Sequence, residues 1–118
     1  MDNHVHFIWQ AMHGYNLDDV QTSFKKHTAK QFTKLLLKDN NIANYQVASP
    51  DRKHHFWKRN SLGVELFTES VFSQKLHYIH ENPVKADLCS YAEEFKYSSA
   101  LFYIKEIDHF GFLEHYKN

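Results

Sequence analysis

Four side chains in this sequence are able to do metal and phosphate chemistry: His4 and His6 at the start of the chain, and Tyr78 and Asn82 further along. Tyr78 and Asn82 are spaced so that on a helix they lie one turn apart on the same face. His4 and His6 alternate with Val5, so on a strand both imidazoles project from one side. We predict that His4, His6 and Asn82 hold a divalent metal and that Tyr78 is a catalytic nucleophile.

The predicted ligands favour Mg²⁺ or Mn²⁺. They combine imidazole nitrogens with an amide oxygen, and they include no thiolate of the kind found in many structural zinc sites. A metal held there would polarise a non-bridging phosphate oxygen. The phenol of a tyrosine has a reference pKa of about 10, so Tyr78 needs such an activated electrophile, or a nearby base or cation, to react near neutral pH.

Each half of this pattern also has a plainer interpretation. A chain with 10 histidines in 118 residues is expected to contain about one His-x-His pair by chance. A tyrosine on a helix is more often a core or surface aromatic than a nucleophile. The pairs His54–His55 and His77–His80 suggest zinc instead, but neither supplies a full ligand set. The combination, and not either half, carries the hypothesis.

Positive charge is concentrated in the middle of the chain, although the formal net charge is zero. Residues 20–60 hold nine lysines and arginines against two aspartates, and the rest of the chain balances this excess. Because local charge attracts a phosphate backbone, we predict a DNA-binding surface formed by Lys26, Lys30, Lys34, Arg52, Lys53, Lys58 and Arg59. The alternative is a solvated helix face beside a charged loop. Phe56 and Trp57 could stack on bases, but core packing is the simpler role.

The sequence predicts both strands and helices. Residues 4–11 are rich in strand formers and predict a strand, and residues 55–58 and 64–67 predict a short pair of strands. Apolar residues at helical spacing predict a helix over residues 18–38, capped by Asn16 or Asp18. Thr68 is a good cap for a second helix over residues 69–82, which Pro83 should end because its ring clashes with the carbonyl of Ile79.

Length and composition predict one domain over residues 1–118. The hydrophobic fraction of 42% is too high for a disordered chain. The sequence contains no apolar run long enough to span a membrane and does not open on a secretory signal. Cys89 is the only cysteine, which excludes an internal disulfide and favours a cytoplasmic protein.

Three segments resemble the REP-associated tyrosine transposase family, a branch of the single-tyrosine transposases in the HUH superfamily. Residues 1–8, MDNHVHFI, resemble the family's Met-Pro-Asn-His-Val-His-Leu segment, and residues 78–88, YIHENPVKADL, resemble its tyrosine helix. Residues 95–100, FKYSSA, match the motif that follows in that branch. The resemblance extends in order over nearly all 118 residues.

The resemblance implies an α+β fold, with an antiparallel sheet flanked by helices as in ferredoxin-like proteins. Family members carry a strand, a helix and another strand before the His-x-His strand, so the resemblance implies a chain that lacks the N-terminal part of that fold. It also implies that Asp87 stands where glycine is usual, a position that aspartate tolerates better than most residues.

The resemblance implies a DNA transposase that cleaves and rejoins single-stranded DNA. Tyr78 matches the nucleophile that forms a 5′-phosphotyrosine link, and His4, His6 and Asn82 match the metal ligands. The partner would be single-stranded DNA with hairpin elements, and a homodimer is left open. The alternatives are a catalytically inactive DNA-hairpin binder and a metal-dependent phosphodiesterase that uses water instead of tyrosine.

Overall fold

The described part of the chain is helical. The computed structural model describes residues 1–45, 56–58 and 61–118. Within these ranges there is no β-strand, and the α-helices are α1 (Leu17–Lys38), α2 (Glu69–Lys85) and α3 (Ala100–Lys105), with short 3-10 helices at Ile42–Tyr45 and Ala92–Glu94. The chain forms two compact units, one of residues 1–8 and 64–118 and the other of residues 9–63. Among the same described residues, no helix has both the length and the apolar character needed to cross a bilayer.

The predicted α+β class, with the antiparallel sheet of a ferredoxin-like fold, is therefore wrong. Residues 4–11 and 64–67 have the composition of strands but form no ladder, and His55 of the third predicted strand lies outside the described residues. Strand formers favour a pleated surface only when a neighbouring strand pairs with their backbone. Val5 and Phe7 are 46% and 57% exposed, so neither side chain is buried as it would be on the inner face of a sheet.

Helix α1 confirms the predicted first helix and its cap. Asn16 has an extended backbone, and its side-chain oxygen accepts a hydrogen bond from the Asp19 amide at 2.8 Å. Gly14, with φ of 90°, lies in the turn before it, which the Tyr15 amide closes by donating to the Met12 carbonyl at 3.1 Å. Asp18 and Asp19 lie in the first turn, where negative charge is stabilised by the helix dipole.

One side of α1 is covered by residues 56–58. The Trp57 indole nitrogen donates to the Thr28 hydroxyl at 2.8 Å, and its ring lies against Phe24 and Phe32 with centroid distances of 5.8 and 6.0 Å. Phe56 contacts Phe32 edge-on at 5.8 Å. Phe56 and Trp57 thus pack against α1, as the simpler of their two interpretations predicted.

Helix α2 begins as predicted and ends later than predicted. The Thr68 hydroxyl accepts a hydrogen bond from the Val71 amide at 3.2 Å, which confirms the cap. The expectation that Pro83 ends the helix is wrong, because α2 continues to Lys85 with Pro83 inside it. Proline removes one backbone donor, but the next turn is closed by the Ala86 amide, which donates to the Asn82 carbonyl at 3.1 Å.

The end of α2 has the hydrogen bonds of a Schellman motif. The Leu88 amide donates to the Pro83 carbonyl at 3.0 Å, and the Asp87 amide donates to the Val84 carbonyl at 3.0 Å. Asp87 adopts a left-handed backbone with φ of 55°, the conformation for which glycine is the usual residue. These bonds satisfy the last carbonyls of the helix and offset part of what proline removes.

The C-terminal residues are tied to the start of α2. The Tyr116 hydroxyl donates to Glu69 at 2.7 Å, Lys117 forms an ion pair with the same carboxylate at 3.3 Å, and the Tyr116 ring stacks on Phe72 at 4.2 Å. The Tyr116 and Lys117 contacts lower the pKa of Glu69. The first two turns of α2 are thus held by both polar and aromatic contacts.

Candidate metal and nucleophile site

The structure brings His4 and His6 to the last turns of α2. The Asn82 amide nitrogen lies 3.1 Å from Nε2 of His6 and 3.5 Å from Nε2 of His4. The two imidazole rings meet edge to face with centroids 5.1 Å apart. Both Nε2 atoms therefore point toward one place at the Asn82 side chain.

Asn3 lies next to His4 in the chain and contacts its ring. The Asn3 side-chain oxygen lies 2.7 Å from Nδ1 of His4 and can accept a hydrogen bond from it. In the neutral tautomer of His4 that donates from Nδ1, the lone pair lies on Nε2. Metal-binding histidines commonly have this arrangement, with the far nitrogen donating to an oxygen that fixes the ring.

The surroundings of His6 favour its neutral form. Partial burial, then the neighbouring His4, and then the amino terminus lower the pKa of His6 below its ordinary value. A neutral imidazole with an available nitrogen is the form that binds metal, since a protonated ring has no lone pair to give.

Tyr78 lies beside this group. Its ring is half-exposed, at 50%, and meets the His6 ring edge to face with centroids 5.7 Å apart. It precedes Asn82 by one turn of α2, so both side chains leave the helix on the same face. Tyr78 is thus exposed to solvent and adjacent to the His6 imidazole.

The residues present fit a divalent metal with open coordination positions. Rotating the Asn82 amide by half a turn would direct its oxygen, in place of its nitrogen, at the two Nε2 atoms, and amide orientations interchange readily. Three ligands of this kind leave positions for water and a phosphate oxygen. In the described residues, no three His, Cys, Asp or Glu side chains come together as a metal group, so a site here depends on the amide.

A cavity of about 280 Å³ opens next to these side chains. Its lining includes His4, His6 and Asn82 together with Phe95, Tyr97, Ser98 and Ser99. The last four residues belong to the FKYSSA segment, to which the sequence assigned no role. Its proximity to the histidines depends on the packing after α2, so local spacing could not reveal it.

His80 is a further histidine of α2, and it is structural. Its ring is 7% exposed, and its Nε2 lies 3.0 Å from the Ser99 hydroxyl. Burial, then His77, lower its pKa, while Glu81 acts in the opposite direction. His80 packs against Tyr103 with ring centroids 5.7 Å apart, so it joins α2 to α3.

The predicted DNA-binding residues that can be described lie in the unit of residues 9–63. Lys26, Lys30 and Lys34 are exposed along α1, and Lys26 and Lys30 line a surface depression of about 430 Å³ with Asp19, Thr22, Ser23 and His27. Lys58 is exposed, and its carbonyl accepts a hydrogen bond from Lys25 at 3.1 Å. Arg52, Lys53 and Arg59, with His54 and His55, lie outside the described residues.

Comparison of the chain with protein-family models, curated proteins and solved structures finds no significant match.

Proposed function

We propose that this protein cleaves and rejoins single-stranded DNA in the manner of a single-tyrosine transposase. The proposal is carried by one observation: Tyr78 and Asn82 lie one turn apart on α2, and the Nε2 atoms of His4 and His6 converge on Asn82 beside the Tyr78 ring. The resemblance of three segments to REP-associated tyrosine transposases supports the same chemistry.

The reaction assigned to Tyr78 exchanges one phosphodiester for another. The phenol oxygen attacks phosphorus, the bond from phosphorus to the 3′ oxygen of the preceding nucleotide breaks, and the DNA 5′ phosphate becomes joined to Tyr78. The phenol proton passes to solvent, and the leaving 3′ oxygen takes a proton from water. Because an ester is kept, a free 3′-OH can later attack the phosphotyrosine and restore the strand without a further energy source.

His4, His6 and Asn82 are the residues that would hold a divalent cation, Mg²⁺ or Mn²⁺. When bound, the cation would supply polarisation of a non-bridging phosphate oxygen. His4 and His6 direct their Nε2 atoms at Asn82, Asn3 contacts Nδ1 of His4, and the turns of α2 fix Tyr78 relative to Asn82. These side chains orient the phosphate for attack from the Tyr78 side. We place the activity in the cytoplasm, where Cys89 stays reduced.

The direct test is a covalent adduct. Wild-type protein incubated with labelled single-stranded hairpin DNA and Mn²⁺ is expected to give a protein–DNA species that survives denaturing electrophoresis. Tyr78→Phe should abolish the adduct and leave DNA binding intact, because the ring remains and only the attacking oxygen is lost. Tyr91→Phe, an exposed tyrosine of the same unit, is the control and should form the adduct normally.

The same assay distinguishes the other activities. Cleavage that persists in Tyr78→Phe without an adduct would contradict a tyrosine nucleophile and support attack by water. Binding without cleavage in either Mg²⁺ or Mn²⁺ would support a non-catalytic hairpin binder. The lysines of α1 are the observation that favours the non-catalytic hairpin binder. They belong to the unit of residues 9–63, which does not contain Tyr78, so they could bind DNA whether or not Tyr78 reacts.

A further inference from the structure

The FKYSSA segment forms a tight turn with Tyr97 at its tip. The Ser98 amide donates to the Phe95 carbonyl at 3.0 Å, so Lys96 and Tyr97 are the two central residues of the turn. Tyr97 is 72% exposed, although the next residue, Ser98, is buried. A large aromatic side chain is thus presented to solvent at the edge of the cavity beside His4 and His6.

The turn is fixed at several points around Tyr97. The His109 ring nitrogen donates to the Lys96 carbonyl at 2.7 Å, and the Ser99 hydroxyl lies 3.0 Å from His80. Ser98 is 8% exposed, and its hydroxyl accepts from the Ala100 amide at 3.1 Å. Phe95 meets the Tyr97 ring edge to face at 6.0 Å. A ring held in this way loses little conformational entropy when a ligand covers it.

Positive charge accompanies the exposed ring. The Lys96 ammonium lies 5.5 Å from the centre of the Tyr97 ring, within the range of a cation–π contact. An aromatic face beside a lysine suits a nucleotide, which offers a flat base for stacking and a phosphate for the cation. The lining of the same cavity includes His4, His6 and Asn82, the residues that would receive the phosphate to be cleaved.

We propose that Tyr97 is a base-stacking platform for the unpaired nucleotide beside the phosphate that Tyr78 attacks, with Lys96 contacting the adjacent phosphate. This inference rests on the proposed function, because it takes single-stranded DNA as the ligand of the cavity. In this proposal Tyr97 binds DNA but does not take part in the chemical reaction. Stacking on a single aromatic face is tolerant of base identity, so Tyr97 positions the strand without selecting its sequence.

The test measures binding in a protein that cannot cleave. In a Tyr78→Phe background, affinity is measured by fluorescence anisotropy for a DNA hairpin with a thymidine tail and for the same hairpin with an abasic tail. Tyr97→Ala should weaken binding of the thymidine tail by about tenfold, within the range found for loss of one stacked base. Tyr97→Trp should keep the affinity, and Tyr91→Ala should not change it.

The abasic tail gives the decisive comparison. With no bases to stack, Tyr97→Ala should cost little, so its effect should fall to less than about twofold. An equal loss on both tails, or an equal loss in Tyr97→Trp and Tyr97→Ala, would overturn the stacking role. Unchanged affinity in Tyr97→Ala would overturn it as well.

These outcomes are separable from failure of the proposed function. If wild-type protein forms no adduct but Tyr97→Ala still weakens binding only to the thymidine tail, the strand-transfer activity is wrong and the stacking platform stands. If the adduct forms and the Tyr97 variants bind both tails like their parent, the activity stands and the platform is wrong.

Discussion

Nε2 of His6 and the side-chain nitrogen of Asn82 lie 3.1 Å apart, although the residues are 76 positions apart in the chain. This contact joins the extended N-terminal segment to the end of α2. In this orientation the Asn82 nitrogen donates and Nε2 of His6 accepts, with its proton on Nδ1 in the neutral tautomer. The same Nε2 is the one that a metal would use.

The hydrogen bond from His4 to Asn3 leads to a prediction for metal affinity. Asn3→Ala removes the oxygen that holds the proton on Nδ1 of His4, so the ring loses its fixed orientation and tautomer. We expect Mn²⁺ affinity to fall by about tenfold, as is typical for loss of such a supporting group. Isothermal titration calorimetry without DNA measures the effect directly.

Direct removal of a ligand should be more severe. His4→Ala and His6→Ala are each expected to lower Mn²⁺ affinity more than Asn3→Ala does. His27→Ala, an exposed histidine of α1, is the matched control and should bind Mn²⁺ like wild type. Equal affinity in wild type, His4→Ala and His6→Ala would contradict a metal site at these residues.

The lysines of α1 give a prediction that depends on salt. Changing Lys26, Lys30 and Lys34 to Gln removes three exposed charges and should weaken binding to single-stranded DNA. The slope of log affinity against log salt should become shallower by about 2, since each lost phosphate contact on a single strand contributes about 0.7. Fluorescence anisotropy at several NaCl concentrations gives the slope. As a control, changing Lys85 and Lys105 to Gln should leave the slope nearly unaltered. An unaltered slope in the α1 variant would show that Lys26, Lys30 and Lys34 are solvated and do not contact DNA.

The left-handed backbone of Asp87 leads to a prediction for stability. Glycine adopts φ of 55° without the steric cost that a Cβ brings, while it also loses more entropy on folding. We expect Asp87→Gly to raise the free energy of unfolding by about 0.5–1 kcal/mol. Chemical denaturation followed by circular dichroism tests this. Asp87→Ala keeps the Cβ at this position and should not gain stability as Asp87→Gly does. A less stable glycine variant would show that the Asp87 side chain makes a larger contribution than its backbone strain.

Asp108 predicts a dependence of stability on pH. Desolvation would raise the pKa of this carboxyl, but hydrogen bonds from the Leu113, Gly111 and Phe110 amides, each 2.9 Å long, together with His109 outweigh it and lower the pKa. A group whose folded pKa is depressed stabilises the fold above its unfolded pKa and loses that contribution as pH falls through the folded value. Wild type should therefore be more stable than Asp108→Ala at neutral pH.

The stability difference between these proteins should shrink as pH falls below the ordinary pKa of aspartate. Denaturant titrations at neutral pH and at several acidic values measure it. Asp108→Asn should lie between the two proteins, because its single carbonyl oxygen can accept part of the same set of hydrogen bonds. A difference that stays constant with pH would contradict a charged carboxylate in this role.

Local signals in the sequence predicted the helices and their starts. Asn16 and Thr68 accept the hydrogen bonds expected of caps, because a cap depends only on the next three residues. The end of α2 was misjudged, since the motif formed by Asp87 and Leu88 offsets the effect of Pro83. The strand at residues 4–11 was wrong for a different reason: a strand needs a partner, and composition does not supply one.

In the candidate site, too, local sequence predicted some features, and others depend on contacts between distant residues. Spacing along α2 correctly placed Tyr78 and Asn82 one turn apart, while their proximity to His4 and His6 was predicted from the types of ligand and the family resemblance and not from any local spacing. Asn3 adjoins His4 in sequence, and an amide next to a candidate ligand is a local signal for this contact. Tyr97 reaches the cavity through a turn whose position is set by His80 and His109, contacts that no local pattern contains.

The hydrogen bond between Trp57 and Thr28 makes the indole an intrinsic optical probe of α1. Its emission depends on the surroundings of this helix, and the only other indole of the protein is that of Trp9. In a Trp9→Phe background, a change in fluorescence on adding DNA would therefore come from Trp57, and occupancy of the lysine-bearing helix could be followed without an attached dye.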